Sequence, residues 1–219
     1  MRTLTVPGSS TTFHPGKLLC IGRNYAKHAA EMKSAVPSEP MIFLKPSTAL
    51  IGSGESIVLP PQSADVHHEV ELVVLIGKGG AKIAETDALS HVAGYAVGLD
   101  MTARDIQARA KAKGHPWSVA KGFDTFAPLG DFVTVADVPD PQNLDIRLTV
   151  NGEARQHGHT SDMIFSVAHL ISYASHIFTL EPGDLIYTGT PEGVGPVQVG
   201  ETLKAEVRGL PTLHVTVIR

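Results

Sequence analysis

The chain has 219 residues, enough for one sizeable hydrophobic core or at most two small ones, and its 42% hydrophobic and 18% charged residues describe an ordinary globular protein. A formal net charge of −4 leaves no basic footprint for nucleic acid, and no apolar run approaches the roughly 18 residues of a membrane span. The single cysteine, Cys20, excludes an internal disulfide; with an amino terminus that has no apolar signal region, it sets the expectation of a cytoplasmic protein.

In chain order, Leu18 to Ile21 reads as a strand ending at Gly22, and Tyr25 to about Lys33 as one short helix. Ser34-Ala35-Val36-Pro37-Ser38-Glu39-Pro40 breaks any helix and reads as a mobile surface stretch, so residues 25–40 or thereabouts form a lid-like segment. Met41 to Leu44 and Ser56 to Leu59 are further strands, stopped by Lys45-Pro46 and Pro60-Pro61. Leu72-Val73-Val74-Leu75-Ile76 is apolar without alternation, the pattern of a strand covered on both faces. Gly94 to Leu99 is a second such run, closed by Asp100. Thr102 is the expected N-cap of a helix that has Asp105 in its first turn and ends near Lys113, at Gly114 and Pro116. Leu144 to Val150 alternates apolar and polar residues up to the hairpin turn Asn151-Gly152. Met163 to about Ile177 carries the longest helical stripe (Met163, Val167, Leu170, Ile171 and Ala174), with Ser161 or Asp162 expected at its start. Asp184 to Tyr187, Thr202 to Val207 and Leu213 to Ile218 close the chain as strands. Many short strands and few, irregularly placed helices predict one α+β domain over 1–219 dominated by a mixed sheet, preceded by a short segment 1–17.

The chemistry concentrates in His67-His68-Glu69-Val70-Glu71-Leu72. Strand side chains alternate in direction, so Glu69 and Glu71 share a face. Such a pair is usually just a solvated face, because Glu is rarely buried. Here it enters an unbroken apolar strand, where two like charges repel and lose hydration unless a cation or proton compensates. With Asp100 they make three hard oxygen donors, suited to Mg²⁺ or Mn²⁺; His67 and His68 would instead favour Zn²⁺ or Fe²⁺ if they ligated, and otherwise flank the site. On a helix His28 and Glu31 lie one turn apart, and a carboxylate beside an imidazole fixes its tautomer and raises its basicity. The same spacing also describes an ordinary surface pair. Thr188-Gly189-Thr190-Pro191-Glu192-Gly193-Val194-Gly195 is a structural turn by default and an anion-binding turn as the alternative. It holds no dinucleotide or P-loop fingerprint. A lone lysine such as Lys121 is normally solvated.

Gly22-Arg23-Asn24-Tyr25 with His28 and Glu31, Phe43-Leu44-Lys45-Pro46, His68-Glu69-Val70-Glu71, Asp100-Met101-Thr102-Ala103-Arg104-Asp105, Lys121-Gly122-Phe123-Asp124 and Thr188-Gly189-Thr190-Pro191 follow one another along the chain. Each is weak alone; in this order they resemble the fumarylacetoacetate hydrolase family, in its short single-domain branch of acylpyruvases and oxaloacetate-processing enzymes. The resemblance runs from about Leu18 to the carboxyl end. It implies a mixed β-roll with peripheral helices, usually a homodimer. It also implies a Mg²⁺ or Mn²⁺ site at Glu69, Glu71 and Asp100, and a lid dyad, His28 and Glu31, that activates water. Lys121 matches a lysine near the reacting carbonyl, and Arg104, Gln107 and Thr190 match substrate-contacting positions. There are departures. The separate amino-terminal domain of full-length members is missing, and Arg23-Asn24 stands near a further acidic ligand of those enzymes. Arg23 there would favour a more anionic substrate end.

The implied reaction is Mg-dependent hydrolysis of a 3-acylpyruvate (a 2,4-dioxo acid such as acetylpyruvate or fumarylpyruvate) to pyruvate and a carboxylic acid through a metal-stabilised enolate. Three carboxylates and one divalent cation leave about −1 charge, and the chelating 2-oxo acid completes the coordination. The alternative at the same site is oxaloacetate decarboxylation or keto–enol tautomerisation. A reading of another class is a non-catalytic metal or small-ligand binding module. Aromatic ring catabolism and repair of central metabolites are both consistent settings.

Overall fold

The computed structural model describes residues 2–32 and 35–219. Its centre is a six-stranded mixed sheet in the spatial order Val133–Thr134, Val92–Leu99, Val70–Ile76, Leu185–Tyr187, Leu18–Gly22, Met41–Lys45. Only Leu185–Tyr187 and Leu18–Gly22 pair in parallel. All seven residues of Val70–Ile76 are buried, and their parity explains the missing alternation. Leu72, Val74 and Ile76 point into the larger apolar cluster, while Val73 and Leu75 point into the smaller one on the other face. Glu71 shares the parity of Val73 and Leu75, so its carboxylate enters the smaller cluster's side of the sheet.

A five-stranded sheet covers the larger cluster, in the order Glu153–His159, Asp145–Val150, Thr202–Val207, Leu213–Ile218, Ser56–Val58. Leu213–Ile218 alternates buried and exposed residues, as one core face and one wet face require. Ile146, Leu148, Val150, Leu203, Ala205 and Val207 fill the inner face. Asn151 and Gly152, with φ of 51° and 82°, make the expected hairpin turn. The predicted α+β mixed-sheet architecture is therefore present, with its strands divided between two main sheets and several small ones.

Two helix starts differ from expectation. Thr102 is not an N-cap: Thr102–Ala103 pairs as a strand with Val66–His68, and the helix begins afterwards, as Arg104–Lys113. The Thr102 hydroxyl donates instead to the Asp100 carbonyl at 3.2 Å, which tightens the corner after Asp100. The longest helix is Val167–Ile177, capped by the Ser166 hydroxyl accepting from His169 N–H at 3.1 Å, so neither Ser161 nor Asp162 starts it. Met163 belongs to an extended piece that zips against the first helix's entry: it bridges to Tyr25, and Ile164 N–H donates to the Asn24 carbonyl at 2.8 Å. The first helix is Ala26–Glu31; the expected end at Lys33, with Ser34, lies outside the described residues.

Leu148 is fully buried between the two sheets. Leu148→Ala should cost about 2–5 kcal/mol in urea unfolding with an unchanged m-value. A loss below about 1 kcal/mol would contradict its place in the interlayer core.

Candidate active site

Glu69 occupies the break between the Val66–His68 and Val70–Ile76 strands, and its carbonyl accepts the Asp100 N–H at 2.8 Å. That link joins the end of the Val92–Leu99 strand to the start of its neighbour, so all three acidic residues converge. One ligand oxygen from each of Glu69, Glu71 and Asp100 lies within 4.8 Å of the others, and all three side chains are buried.

Cations surround them. The Lys121 ammonium donates to Glu69 Oε2 at 2.8 Å and to Asp100 Oδ2 at 2.6 Å. Arg104 Nη2 donates to Glu69 Oε1. Lys45 Nζ donates to Asp100 Oδ1 and to the Met101 carbonyl. Burial works against every one of these charges, and the pairings decide the outcome. For Glu69, desolvation is outweighed by Lys121 and Arg104, which hold its carboxyl well below the usual range. For Lys121, desolvation is outweighed by Asp100 and Glu69, which raise its pKa and keep it charged. Glu71 differs: burial, then repulsion from Asp100 and Glu69, push its carboxyl well above the usual range. Its hydrogen bond comes from the Gly189 N–H at 2.8 Å, and among the described residues no cationic side chain pairs with it.

Lys45 is the residue that sequence reasoning missed. It ends an edge strand before Pro46, is only 2% exposed, and had no role beyond its place in a motif. It also corrects the charge balance. Lys45, Lys121 and Arg104 cancel the three carboxylates, so a divalent cation would leave about +2 rather than −1. The centre therefore calls for an anionic ligand.

The His28 side chain is almost fully buried, and its Nδ1 lies 3.3 Å from Glu31 Oε2. A carboxylate only accepts, so Nδ1 is the donor and, in the neutral tautomer, Nε2 is the nitrogen with the free lone pair. Glu31 is held in turn by the Gly193 N–H at 3.1 and 3.2 Å from its two oxygens. The glycine-rich turn thus does bind an anion, and the anion is the protein's own Glu31. Gly193 has φ of 93°, and a Cβ there would lie 2.1 Å from the Arg155 carbonyl oxygen, so glycine is required.

A narrow cleft open to solvent brings the remaining predicted residues together. Arg23, His28, Gln107 and Thr190 line it alongside Glu69, Glu71, Arg104 and Lys121, while Asp100 lies beneath and Glu31 stands behind His28. Arg104 and Gln107, one turn apart on the Arg104–Lys113 helix, are joined by a 2.8 Å hydrogen bond. Thr190 is fixed by Gln156, a buried residue of the opposite sheet that sequence reasoning also passed over. Gln156 Nε2 donates to Thr190 Oγ1 at 2.8 Å and to the Pro191 carbonyl at 2.9 Å. Its Oε1 accepts from Val70 N–H and His68 Nδ1, both at 3.0 Å. His67 Nε2 lies 2.9 Å from Asp65 Oδ1. Neither histidine belongs to the acidic cluster, and burial lowers the pKa of each below the ordinary imidazole value, so both flank the site as neutral rings.

Residues 17–218 match the family described as fumarylacetoacetate (FAA) hydrolase C-terminal. The chain belongs to that family. Among its relatives, the protein named oxaloacetate tautomerase FAHD1, mitochondrial, from Arabidopsis thaliana is 52% identical over 203 residues, 93% of this chain and 91% of that protein. The protein of the same name from Homo sapiens is 50% identical over 196 residues, 90% of this chain and 89% of that one. Among solved structures, fumarylpyruvate hydrolase from Pseudomonas aeruginosa in complex with Mn²⁺ and pyruvate superposes with a TM-score of 0.94 at 44% identity, covering 99% of this chain and 95% of that one. This family member is thus an enzyme with a site suited to a divalent metal.

Removing Lys45's charge leaves Asp100 buried with one fewer partner. Lys45→Met should destabilise the metal-free protein by about 3–5 kcal/mol in urea unfolding, and added Mn²⁺ should recover part of the loss. Unchanged unfolding would contradict the role assigned to this lysine.

Proposed function

We propose that this protein is a divalent-metal-dependent enzyme of 2-oxo acids that hydrolyses 3-acylpyruvates to pyruvate and a carboxylic acid. The observation that carries this reading is the meeting, in one cavity, of a carboxylate-held imidazole and a buried three-carboxylate centre. Glu69, Glu71 and Asp100 would hold Mg²⁺ or Mn²⁺: all three offer hard oxygens, and Glu71 is buried beside like charges without a cationic partner. When bound, the cation supplies a Lewis acid for the substrate's carboxylate and keto oxygens.

The chain's own residues then have separable tasks. Arg104, Gln107 and Thr190 bind and orient the 2-oxo acid. Glu31 holds the His28 ring with Nε2 free, and His28 takes a proton from water. The hydroxide adds to the acyl carbonyl, while a Lys121 N–H stabilises the developing oxyanion. The C–C bond then breaks, its electron pair passing to C3 of the departing pyruvate enolate. Proton return from His28 completes the balance. The helix Ala26–Glu31 and the residues up to about 40 would serve as the lid, and 1–219 as one catalytic unit.

Tautomerisation of oxaloacetate is the second reading, favoured by the relatives of that name at 50–52% identity. It needs only proton removal and return at C3 by His28, without a hydrolytic water; decarboxylation would use the same bound 2-oxo acid. A homodimer is supported by the Met41–Lys45 strand, an open sheet edge that exposes Leu44. Among the described residues no helix is long and apolar enough to cross a membrane, and the buried unpaired Cys20 fits a reducing compartment such as the cytoplasm.

The test incubates the Mn²⁺-loaded protein with acetylpyruvate, fumarylpyruvate and oxaloacetate, following enol absorbance, pyruvate and CO₂. Pyruvate release from an acylpyruvate is expected. Its absence from both would overturn the hydrolase reading, and loss of oxaloacetate enol without CO₂ would establish the tautomerase instead. His28→Ala should lower turnover about 10²–10⁴-fold while leaving Mn²⁺ affinity nearly intact. Full turnover in that variant would refute the dyad.

A further inference from the structure

The peptide between Thr188 and Gly189 is engaged at both ends. Its N–H, on Gly189, donates to Glu71 Oε2 at 2.8 Å, and its carbonyl, on Thr188, accepts from Asn24 Nδ2, also at 2.8 Å. A peptide group is planar, so the direction of its carbonyl fixes the direction of its N–H. A hydrogen bond accepted at the oxygen also polarises the N–H into a stronger donor. Asn24 thus acts on Glu71 through one rigid plane.

The Asn24 side chain is fully buried, and both donors and the oxygen of its amide are used. Besides Thr188, Nδ2 donates to the Phe165 carbonyl at 3.0 Å, and Oδ1 accepts the Phe165 N–H at 2.8 Å. These bonds leave the amide one orientation, with its nitrogen toward Thr188. The close approach needs Gly189, whose φ is 96° and whose Cβ, if present, would lie 2.6 Å from the Asn24 Cβ. Thr188 is tied in turn to the strand that carries Glu71: its N–H and its hydroxyl donate to the Leu72 carbonyl at 3.1 and 2.9 Å. On its other side Asn24 follows Arg23, whose φ of 59° is a region that residues other than glycine seldom adopt, and it precedes the helix Ala26–Glu31. The kinked turn that leads into the dyad helix therefore also carries the side chain that aims the donor of Glu71.

We propose that Asn24 is a positioning residue for Glu71: it holds the Thr188–Gly189 peptide so that the Gly189 N–H meets this carboxylate, and it joins the carboxylate to the helix that bears His28 and Glu31. Glu71 is the member of the acidic centre for which this matters, because among the described residues no cationic side chain pairs with it and the Gly189 N–H is its donor. The consequence for metal affinity rests on the reading of Glu69, Glu71 and Asp100 as a metal centre. Without the Asn24 amide the peptide plane is free to tilt, and Glu71 loses the bond that sets its oxygens toward the other two carboxylates.

The test is independent of turnover and uses the full chain. Asn24→Asp keeps the side-chain volume but sets an oxygen in place of Nδ2 against two carbonyls. Gln142→Ala is the control: Gln142 holds the neighbouring segment, accepting the Val167 N–H at 2.7 Å and donating to the Thr160 carbonyl at 2.9 Å, rather than the Thr188–Gly189 peptide. Asn24→Asp should weaken Mn²⁺ binding about 10–100-fold, and Gln142→Ala should leave it within about two-fold whatever it costs in Tm. In the metal-free protein the Gly189 amide proton resonance should move upfield in Asn24→Asp and stay in place in Gln142→Ala. Should Asn24→Asp fail to fold, Glu71→Gln reads the same link from its other end: losing the charge should shift the Asn24 side-chain amide protons and leave those of Gln142 unmoved. Unchanged Mn²⁺ affinity in Asn24→Asp, equal losses in both variants, or Gly189 and Asn24 resonances that do not respond would overturn the proposal. Absence of Mn²⁺ binding from the unaltered protein would sink the metal reading instead, and the amide resonances, recorded without metal, would then decide the role of Asn24 alone.

Discussion

Five buried ionisable side chains and the half-buried Arg104, at one corner of an apolar sheet, set the terms for the rest of this molecule. Removing a charge from water is costly, and a buried charge survives only with close, well-directed partners. Lys121 bridges Glu69 and Asp100, Lys45 closes on Asp100, and Arg104 on Glu69. Glu71 stands outside this pairing, held by one backbone N–H and repelled by its acidic neighbours. A divalent cation would resolve that conflict and would leave the centre with excess positive charge. The arithmetic that favours a metal also favours an anionic ligand beside it. Lys45 raises that excess from about +1 to about +2.

The scaffold exists to hold this cluster still. Glu69 and Glu71 are carried by adjacent strand segments whose apolar side chains are gripped from both faces by two clusters. Asp100 is tied to Glu69 through the backbone, and Gln156 reaches from the second sheet to lock the strand break and Thr190 together. The proposed base is arranged differently. His28 sits on a six-residue helix whose Glu31 is secured by the Gly193 N–H of a distant turn. The proposed metal ligands thus sit on or directly beside buried strands, and the proposed proton-transfer dyad on a lighter element. That division suits a site whose substrate enters past the base.

Much of this was legible in the sequence, because some patterns have one physical solution. An unbroken apolar strand entered by Glu-x-Glu forces a compensated buried charge, and Asn151-Gly152 forces a hairpin. The ordered motifs raised the remaining candidates from surface residues to one cavity. Other features were hidden by their geometry. Lys45 and Gln156 act across long sequence separations, and neither's immediate neighbours show that it is buried. Met163 looked helical because its apolar side chain fits a stripe, yet it pairs with Tyr25 in an extended bridge. Thr102 has the chemistry of an N-cap, but the strand pairing of Val66–His68 claims its backbone first.

The central claim is that Glu69, Glu71 and Asp100 together hold one catalytic divalent cation. Titrating Mn²⁺ into the metal-free protein and into its Glu71→Gln variant, followed by the paramagnetic signal of free Mn²⁺, tests it most directly. The account predicts one tight equivalent per chain in the unaltered protein and loss of that binding in the variant. Mn²⁺ binding that is identical in both, or absent from the unaltered protein, would contradict it.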